Sequence, residues 1–379
     1  MKKCHYFNPT CDMAVANNNR NYMAPEKLRL FENELCYIVS LLAQDNEFVA
    51  VESIPNQQYK EQIKNFTKKE INFIKKTELT DKSYSLQPWG WSPSLSKLSN
   101  TFEWLESYQE LFSRKTGYQM LNNCHFNHST IKNPTYEYVT TYEEILDLLE
   151  KWKKIVIKSL WSSSGRGIVI YNNPDDKTGT QWIKGFLQSQ KGAFVEPFYK
   201  KTQDFSLLFE KKQKGVEFIG TTYFFTTDEK NYGGHYIGNT ENLKKNNYIS
   251  DCLSTEEETI LTETFLKALN SIDLATYQGY LGIDAMIVDQ NGTRLILPFC
   301  ELNLRTTMGI IALQISKQIH TKSYGKMQIS SAEDTFTSHK FKQNSKKACW
   351  ENGQFTKGYF TLLPITEQSK TNAWLEIDC

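Results

Sequence analysis

The chain has 379 residues, 13% of them aromatic and 23% charged, which is enough for two or three domains with a real core and excludes a disordered polymer. Its 44 Lys+Arg stand against 43 Asp+Glu, so no global electrostatic attraction to nucleic acid or a membrane surface is expected. No apolar run reaches the ~20 residues of a membrane helix, the basic start Met1-Lys2-Lys3 has no apolar stretch behind it, and eight scattered cysteines form no CxxC pair, so a cytoplasmic protein with reduced thiols is expected.

The first hundred residues mix short strands and helices. Asn8-Pro9 to Asp12 is read as a first βα turn facing a cleft, Tyr37 to Leu42 as a buried stretch, Glu47 to Val51 as a strand, and Lys68 to Lys76 as a charged helix surface. Trp89 and Trp91 are expected to pack near a domain junction. Cys124-His125-Phe126-Asn127-His128 lacks a second ligand pair at zinc spacing and reads as a polar loop. Thr141 to Lys153 is an amphipathic helix with Glu143, Glu144 and Asp147 near its start. The strand Ile155 to Lys158 follows, then a small-residue loop, a strand Ile168 to Tyr171, a helix near Gln181 to Gln188, and a strand Ala193 to Pro197. Strands dominate from Asp204 to Phe225, Gly233 to Asn239 reads as a glycine-rich loop, and Glu256 to Leu269 as a helix.

Two constellations carry chemistry. In the first, Ser162-Ser163-Ser164-Gly165-Arg166-Gly167 joins two strands. Small residues let backbone N–H groups approach an anion, and Lys158 and Arg166 add positive charge. Neither GxxxxGK[ST] nor a GxGxxG between strand and helix is present, so a nucleotide site must be of another design. In the second, Gly282 to Val288 and Arg294 to Arg305 flank Asn291-Gly292, a type I′ turn signal. With Gln290 opposite Thr293, counting outward puts Asp284 opposite Phe299, and Asp284, Phe299, Glu301, Asn303 and Arg305 on one face. The other face is apolar, with Ile283, Ala285 and Ile287. Such oxygen ligands suit Mg²⁺, which takes one or two carboxylates and completes its shell with phosphate and water.

Lysine strand, small-residue loop, Val-Glu-Pro strand, Gly-Ile-Asp and Glu-Leu-Asn-Leu-Arg, in that order from about Ser113 to Ser316, resemble the ATP-grasp superfamily. The resemblance implies an α/β (α+β) fold: an N-terminal α/β domain (1–110), two grasp subdomains clasping ATP (111–200 and 201–335) and a C-terminal extension (336–379). It implies that Lys158 and the loop residues Ser163, Ser164, Gly165, Arg166 and Gly167 hold ATP phosphates, that Glu196, Phe198 and Tyr199 flank adenine, and that Asp204 meets the ribose. Asp284, Glu301 and Asn303 match the ligands of two Mg²⁺ ions. Arg305 matches an arginine that holds the acyl phosphate, with Lys158 and Arg166 adding electrostatic stabilisation. Arg114 or Lys115 lies near the place of a second ATP-binding cation. Gly282 stands where D-alanine–D-alanine ligases have an arginine, which speaks against that activity.

The implied activity is an ADP-forming carboxylate–amine ligase. Its partners would be a carboxylate and an amine, small molecules or peptides, with no nucleic acid or membrane, and a homodimer stays open. A ligase or macrocyclase acting on a ribosomal peptide and a non-catalytic ATP sensor are the competing readings.

Overall fold

The computed structural model describes residues 2–81, 83–98, 103–162, 167–227, 231–274 and 277–379. Among them are three sheets. The first body holds β1 (Lys2–Tyr6), α1 (Cys11–Asn17), α2 (Glu26–Leu35), β2 (Phe48–Val51), α3 (Gln57–Thr67), β3 (Asn72–Lys75) and β4 (Tyr84–Pro88). Its strands run parallel in the order β3-β2-β1-β4. Chain order reverses beside β1, and a crevice beyond the carboxyl ends of β1 and β4 is where such sheets receive ligands.

Tyr37 to Leu42 is buried, as expected, in and just past a short 3₁₀ segment, Cys36–Leu41. Lys68 to Lys76 is not a helix surface. The helix α3 ends at Lys68, whose φ is 60°, and Asn72–Lys75 pairs with β2 instead. The lysines mask a strand whose Ile74 is buried.

After α4 (Ser107–Leu111) and α5 (Arg114–Leu121) comes a small sheet of β5 (Glu137–Val139), β6 (Ile155–Ser159), β7 (Ile168–Tyr171) and β8 (Ala193–Pro197), in the order β5-β8-β6-β7. The helices α6 (Tyr142–Trp152) and α7 (Lys177–Gln190) are packed on it. A capping box between Thr141 and Glu144 starts α6 and satisfies two N–H groups reciprocally. Ile155, Ile157 and Val195 face this small core. By the period of two, Val156 and Lys158, paired to Glu196 and Phe194, turn to the opposite face.

The third body is a sheet in the order β13-β12-β9-β10-β11-β14-β17-β16-β15. It is built from β9 (Lys200–Lys212), β10 (Gly215–Thr227), β11 (Asn231–Gly238), α8 (Thr240–Lys245), α9 (Thr255–Ser271), β12 (Gly279–Gln290), β13 (Thr293–Asn303), α10 (Met308–Ser316), β14 (Tyr324–Ser331), α11 (Thr335–Ser345), β15 (Cys349–Glu351), β16 (Gln354–Thr361) and β17 (Thr371–Asp378). Residues 336–379 thus supply three strands that continue it. One face, with Phe205, Leu207, Phe209, Ile283, Ala285 and Ile287, packs on Leu261 and Phe265 of α9. The other, with Leu208, Ile237 and Met327, packs on Ile310, Ile311 and Ile315 of α10.

Gly233 to Asn239 is not a loop, because Tyr232 to Gly238 lie within β11. A Cβ at Gly234 would strike the Met327 carbonyl and the Phe225 ring, so the glycine serves close strand packing rather than a turn. Among the described residues no helix is long and apolar enough to cross a membrane, and all eight cysteines are free.

Candidate active site

The hairpin β12–β13 supplies the centre of the site. Asn291 and Gly292 take φ of 55° and 81°, the left-handed pair a type I′ turn needs, and Gln290 faces Thr293 as expected. That register holds to Met286 opposite Leu297. It then slips, so that Asp284 faces Glu301 and not Phe299, and Gly282 faces Asn303. Between these pairs β13 spends Pro298, Phe299 and Cys300 against the single Ala285. Proline has no N–H for the ladder, and a bulge is where a strand tolerates it. A slip of two residues preserves the alternation, whereas a slip of one would have reversed it. Asp284 and Glu301 therefore still share a face and now stand directly opposite. Phe299 leaves the polar face and packs against Gly117 and Tyr118. The Cys300 carbonyl, inside the bulge, accepts a hydrogen bond from Lys158 Nζ at 2.9 Å, which ties the small sheet to the large one.

The neighbouring strand β9 alternates Phe205 and Leu207 into the core with Asp204 and Ser206 on the site face. The Ser206 hydroxyl donates to Asp284 Oδ1 at 2.5 Å, and Asn303 Nδ2 donates to Asp284 Oδ2 at 2.9 Å. Burial pushes the Asp284 carboxyl up to about 6. Its hydrogen bond from Ser206 opposes this, and the Glu301 charge adds to it. Asp204 sits in an ion pair with Lys201 at 2.7 Å, and burial raises its pKa despite that partner.

Lys158, buried on β6, forms an ion pair with Glu196 at 2.7 Å. The Tyr118 hydroxyl donates to the other Glu196 oxygen. Phe198 lies under the Lys154 ammonium, 3.8 Å from ring centre to Nζ, and Tyr199 lies under Lys132 at 5.0 Å. Glu196 is thus joined through Lys158 to the bulge of β13. Ser163, Ser164, Gly165 and Arg166 lie outside the described residues. Gly167 is described, and its carbonyl accepts from the Ser159 N–H.

Of Arg114 and Lys115, α5 turns Arg114 inward. Arg114, Gly117, Tyr118 and Leu121 fall at helical spacing and are buried. Arg114 reaches Glu301 Oε1 from NH2 at 2.7 Å, and from NH1 it reaches Ser162 Oγ at 2.8 Å and the Ser159 carbonyl. Lys115 faces away, near Glu110 and the Tyr138 ring.

The N-terminal body also enters the site. Asp12, in the first turn of α1, accepts from Arg305 Nε at 2.9 Å, as the expected βα turn facing a cleft requires. The Thr306 N–H donates to the Trp89 carbonyl at 2.8 Å. Asn8 grips Gly90 through both its amide atoms, and a Cβ on Gly90 would meet Cys11 Sγ and Arg305 Cβ. Asp12, Arg114, Glu301 and Asn303 line one cavity with Ser113 and Ser162. The Asp12 and Glu301 carboxylates hold Arg305 firmly protonated against its burial. Trp89 stacks edge-on against Phe7 in the core, as expected.

Body order, the lysine strand facing the carboxylate hairpin, and the cleft between two sheets can be compared with solved structures. A biotin carboxylase–β,γ-ATP complex from Campylobacter jejuni superposes with a TM-score of 0.54 over 100% of this chain and 87% of that one, at 10% identity. The chain has the ATP-grasp fold. Two other structures also match. The N5-carboxyaminoimidazole synthetase from Staphylococcus aureus complexed with ADP has 11% identity, 100% and 94% coverage and a TM-score of 0.45. The D-alanyl-alanine synthetase A from Vibrio cholerae has 13% identity, 83% and 92% coverage and a TM-score of 0.40. No family model matches the sequence, and no curated protein matches it.

The donors on this hairpin face fit a divalent cation. Among the described residues no three His, Cys, Asp or Glu side chains gather into a closed metal site. Asp284, Glu301 and the Asn303 amide oxygen instead make an open set of hard donors. Mg²⁺ is held in this way, by one or two carboxylates with phosphate and water completing its shell. Burial first, and then the Glu301 charge opposite it, raise the Asp284 carboxyl, and a cation at the pair would favour its charged form.

Proposed function

We propose that the protein is an ATP-dependent ligase that activates a carboxylate as an acyl phosphate and joins it to an amine. The observation that carries this reading is the pairing of Asp284 and Glu301 on one hairpin face, with Arg114 of α5 on Glu301, Lys158 of β6 on the neighbouring Cys300 carbonyl, and Arg305, just beyond β13, on Asp12 of the N-terminal body. The fold shared with the ATP-bound biotin carboxylase supports it. The division at 1–110, 111–200, 201–335 and 336–379 belongs to the same proposal.

In this mechanism Asp284, Glu301 and Asn303 would hold Mg²⁺, which when bound offsets the negative charge of the triphosphate. Lys158, fixed by Glu196 and the Cys300 carbonyl, and Gly167 border the phosphates, with Ser163 to Arg166 assigned to the same role. Glu196, Phe198 and Tyr199 border the base, and Asp204 the ribose. The substrate carboxylate attacks the γ-phosphorus, ADP leaves, and the amine then displaces phosphate from the acyl phosphate. Arg305, oriented by Asp12, holds the acyl phosphate and the oxyanion of the second step, where one well-placed donor is worth about 3 kcal/mol. A sensor of ATP would not need an arginine placed to hold an acyl phosphate, which favours the enzyme reading.

The test is ADP release from Mg²⁺-ATP across a panel of amino acids and peptides offered as carboxylate and amine. Release should require both, and Glu301→Gln should lower it by about a thousandfold while unfolding as cooperatively as the parent. Full turnover in Glu301→Gln would refute the site assignment.

A further inference from the structure

Three cations surround the cleft, Arg114 and Lys158 buried and Arg305 half-buried, and each has a carboxylate partner. Lys158 has Glu196 and Arg305 has Asp12, and neither carboxylate belongs to the metal donor set. Arg114 has Glu301, which does. Asp284, across the hairpin, receives only the neutral donors Ser206 and Asn303. The Arg114 side chain is 6% exposed, and its Nε is buried without a hydrogen-bond partner among the described residues. One guanidinium nitrogen is thus spent on Glu301 while the Nε–H is left over, in a residue that lines the cavity.

We propose that Arg114 is the resident counter-cation of the metal site: without nucleotide its guanidinium neutralises Glu301, and it surrenders that oxygen to the divalent cation and turns to phosphate when Mg²⁺-ATP binds. This inference rests on the ligase reading above. A dication and a guanidinium on the same carboxylate repel each other at short range, in surroundings of low dielectric. Removing Arg114 from Glu301 would leave a buried guanidinium and a half-buried carboxylate unpaired unless both are compensated at once. A metal–nucleotide complex does this, because it brings the cation to Glu301 and anionic oxygens to the guanidinium, whose planar fork suits phosphate. Its NH1 bonds to Ser159 and Ser162 anchor the group through the exchange. Metal and nucleotide must therefore bind with positive coupling, each raising the affinity for the other by the same factor.

The experiment needs no turnover. Mn²⁺ binding to the full chain is titrated by electron paramagnetic resonance, with and without a non-hydrolysable ATP analogue, for the parent, Arg114→Gln and Glu301→Gln. Without nucleotide, Arg114→Gln should bind Mn²⁺ about tenfold more tightly than the parent, and the enhancement by the analogue should shrink by about the same factor. Unchanged or weaker Mn²⁺ binding in Arg114→Gln, with the coupling intact, overturns the proposal and leaves the ligase reading standing. Equal Mn²⁺ binding by Glu301→Gln and the parent overturns the metal assignment itself. Should Arg114→Gln lose cooperative unfolding, Arg114→Lys takes its place, since a point charge replaces the fork. A smaller gain in the same direction supports the exchange, and no gain overturns it.

Discussion

Two charge clusters flank the hairpin β12–β13, and they treat their carboxylates in opposite ways. Near the turn, Arg294 reaches Asp251 Oδ2 at 2.8 Å and Glu257 Oε1 at 2.6 Å. Glu257 also accepts from the Thr130 hydroxyl and the Ser254 N–H. Burial alone would raise its pKa, but these donors outweigh burial and bring it down to about 2. At the far end of the same strands, burial above all, with the Glu301 charge opposite, holds Asp284 up at about 6 against its two neutral donors and the Arg305 charge. The first cluster is complete as folded and reads as architecture. In the second, Glu301 has Arg114, while Asp284 has no ion-pair partner among the described residues and stays raised, and a perturbed carboxyl in a cleft points to a binding site.

The sharpest way to break this contrast is to remove Arg294. Arg294→Ala leaves Glu257 buried and unpaired and should cost about 3 kcal/mol in urea unfolding at pH 7. The loss should fade with acid, because a depressed carboxylate contributes stability above its unfolded pKa and loses it as pH falls through about 5 toward about 2. A change below about 0.5 kcal/mol would show that this cluster is not structural. The site cluster should respond with the opposite sign. Asp284→Asn in metal-free buffer at pH 8 should stabilise the fold by about 1–2 kcal/mol. The carboxyl is raised in the folded state, so its cost grows as pH rises from about 4 through about 6 and vanishes below that window. If Asp284→Asn destabilises at pH 8, the contrast fails. The smallest effect belongs to Lys115→Gln, beside Arg114 in sequence but turned outward. It should alter stability by less than about 0.5 kcal/mol and leave Mn²⁺ affinity as in the parent, and a marked change in that affinity would undo the assignment of Arg114 over Lys115.

Much of this was legible residue by residue. The turn at Asn291-Gly292, the capped helix after Thr141 and the alternation in β6 follow from local chemistry, and the structure has them. The bulge at Pro298–Cys300 was not counted, yet Pro298 itself was its signal. Arg114 could have been separated from Lys115 by its spacing to Tyr118 and Leu121. Ser206 was missed, although it alternates with Phe205 and Leu207 beside Asp204. The strand at Asn72–Lys75 was hidden because charged neighbours imitate a solvated helix face. Its pairing with β2 is a nonlocal contact that no short window reveals.

Local sequence determined which side chains share a strand face or a helix face, because those periods are built into the backbone and survive even a two-residue slip. It therefore determined that Asp284, Glu301 and Asn303 stand together. Which cation answers each carboxylate was decided only by tertiary structure. Arg114 meets Glu301 across 187 positions, and Asp12 meets Arg305 across 293. Such partners are chosen by how three sheets dock around one cleft, where burial makes pairing obligatory and sequence separation costs little.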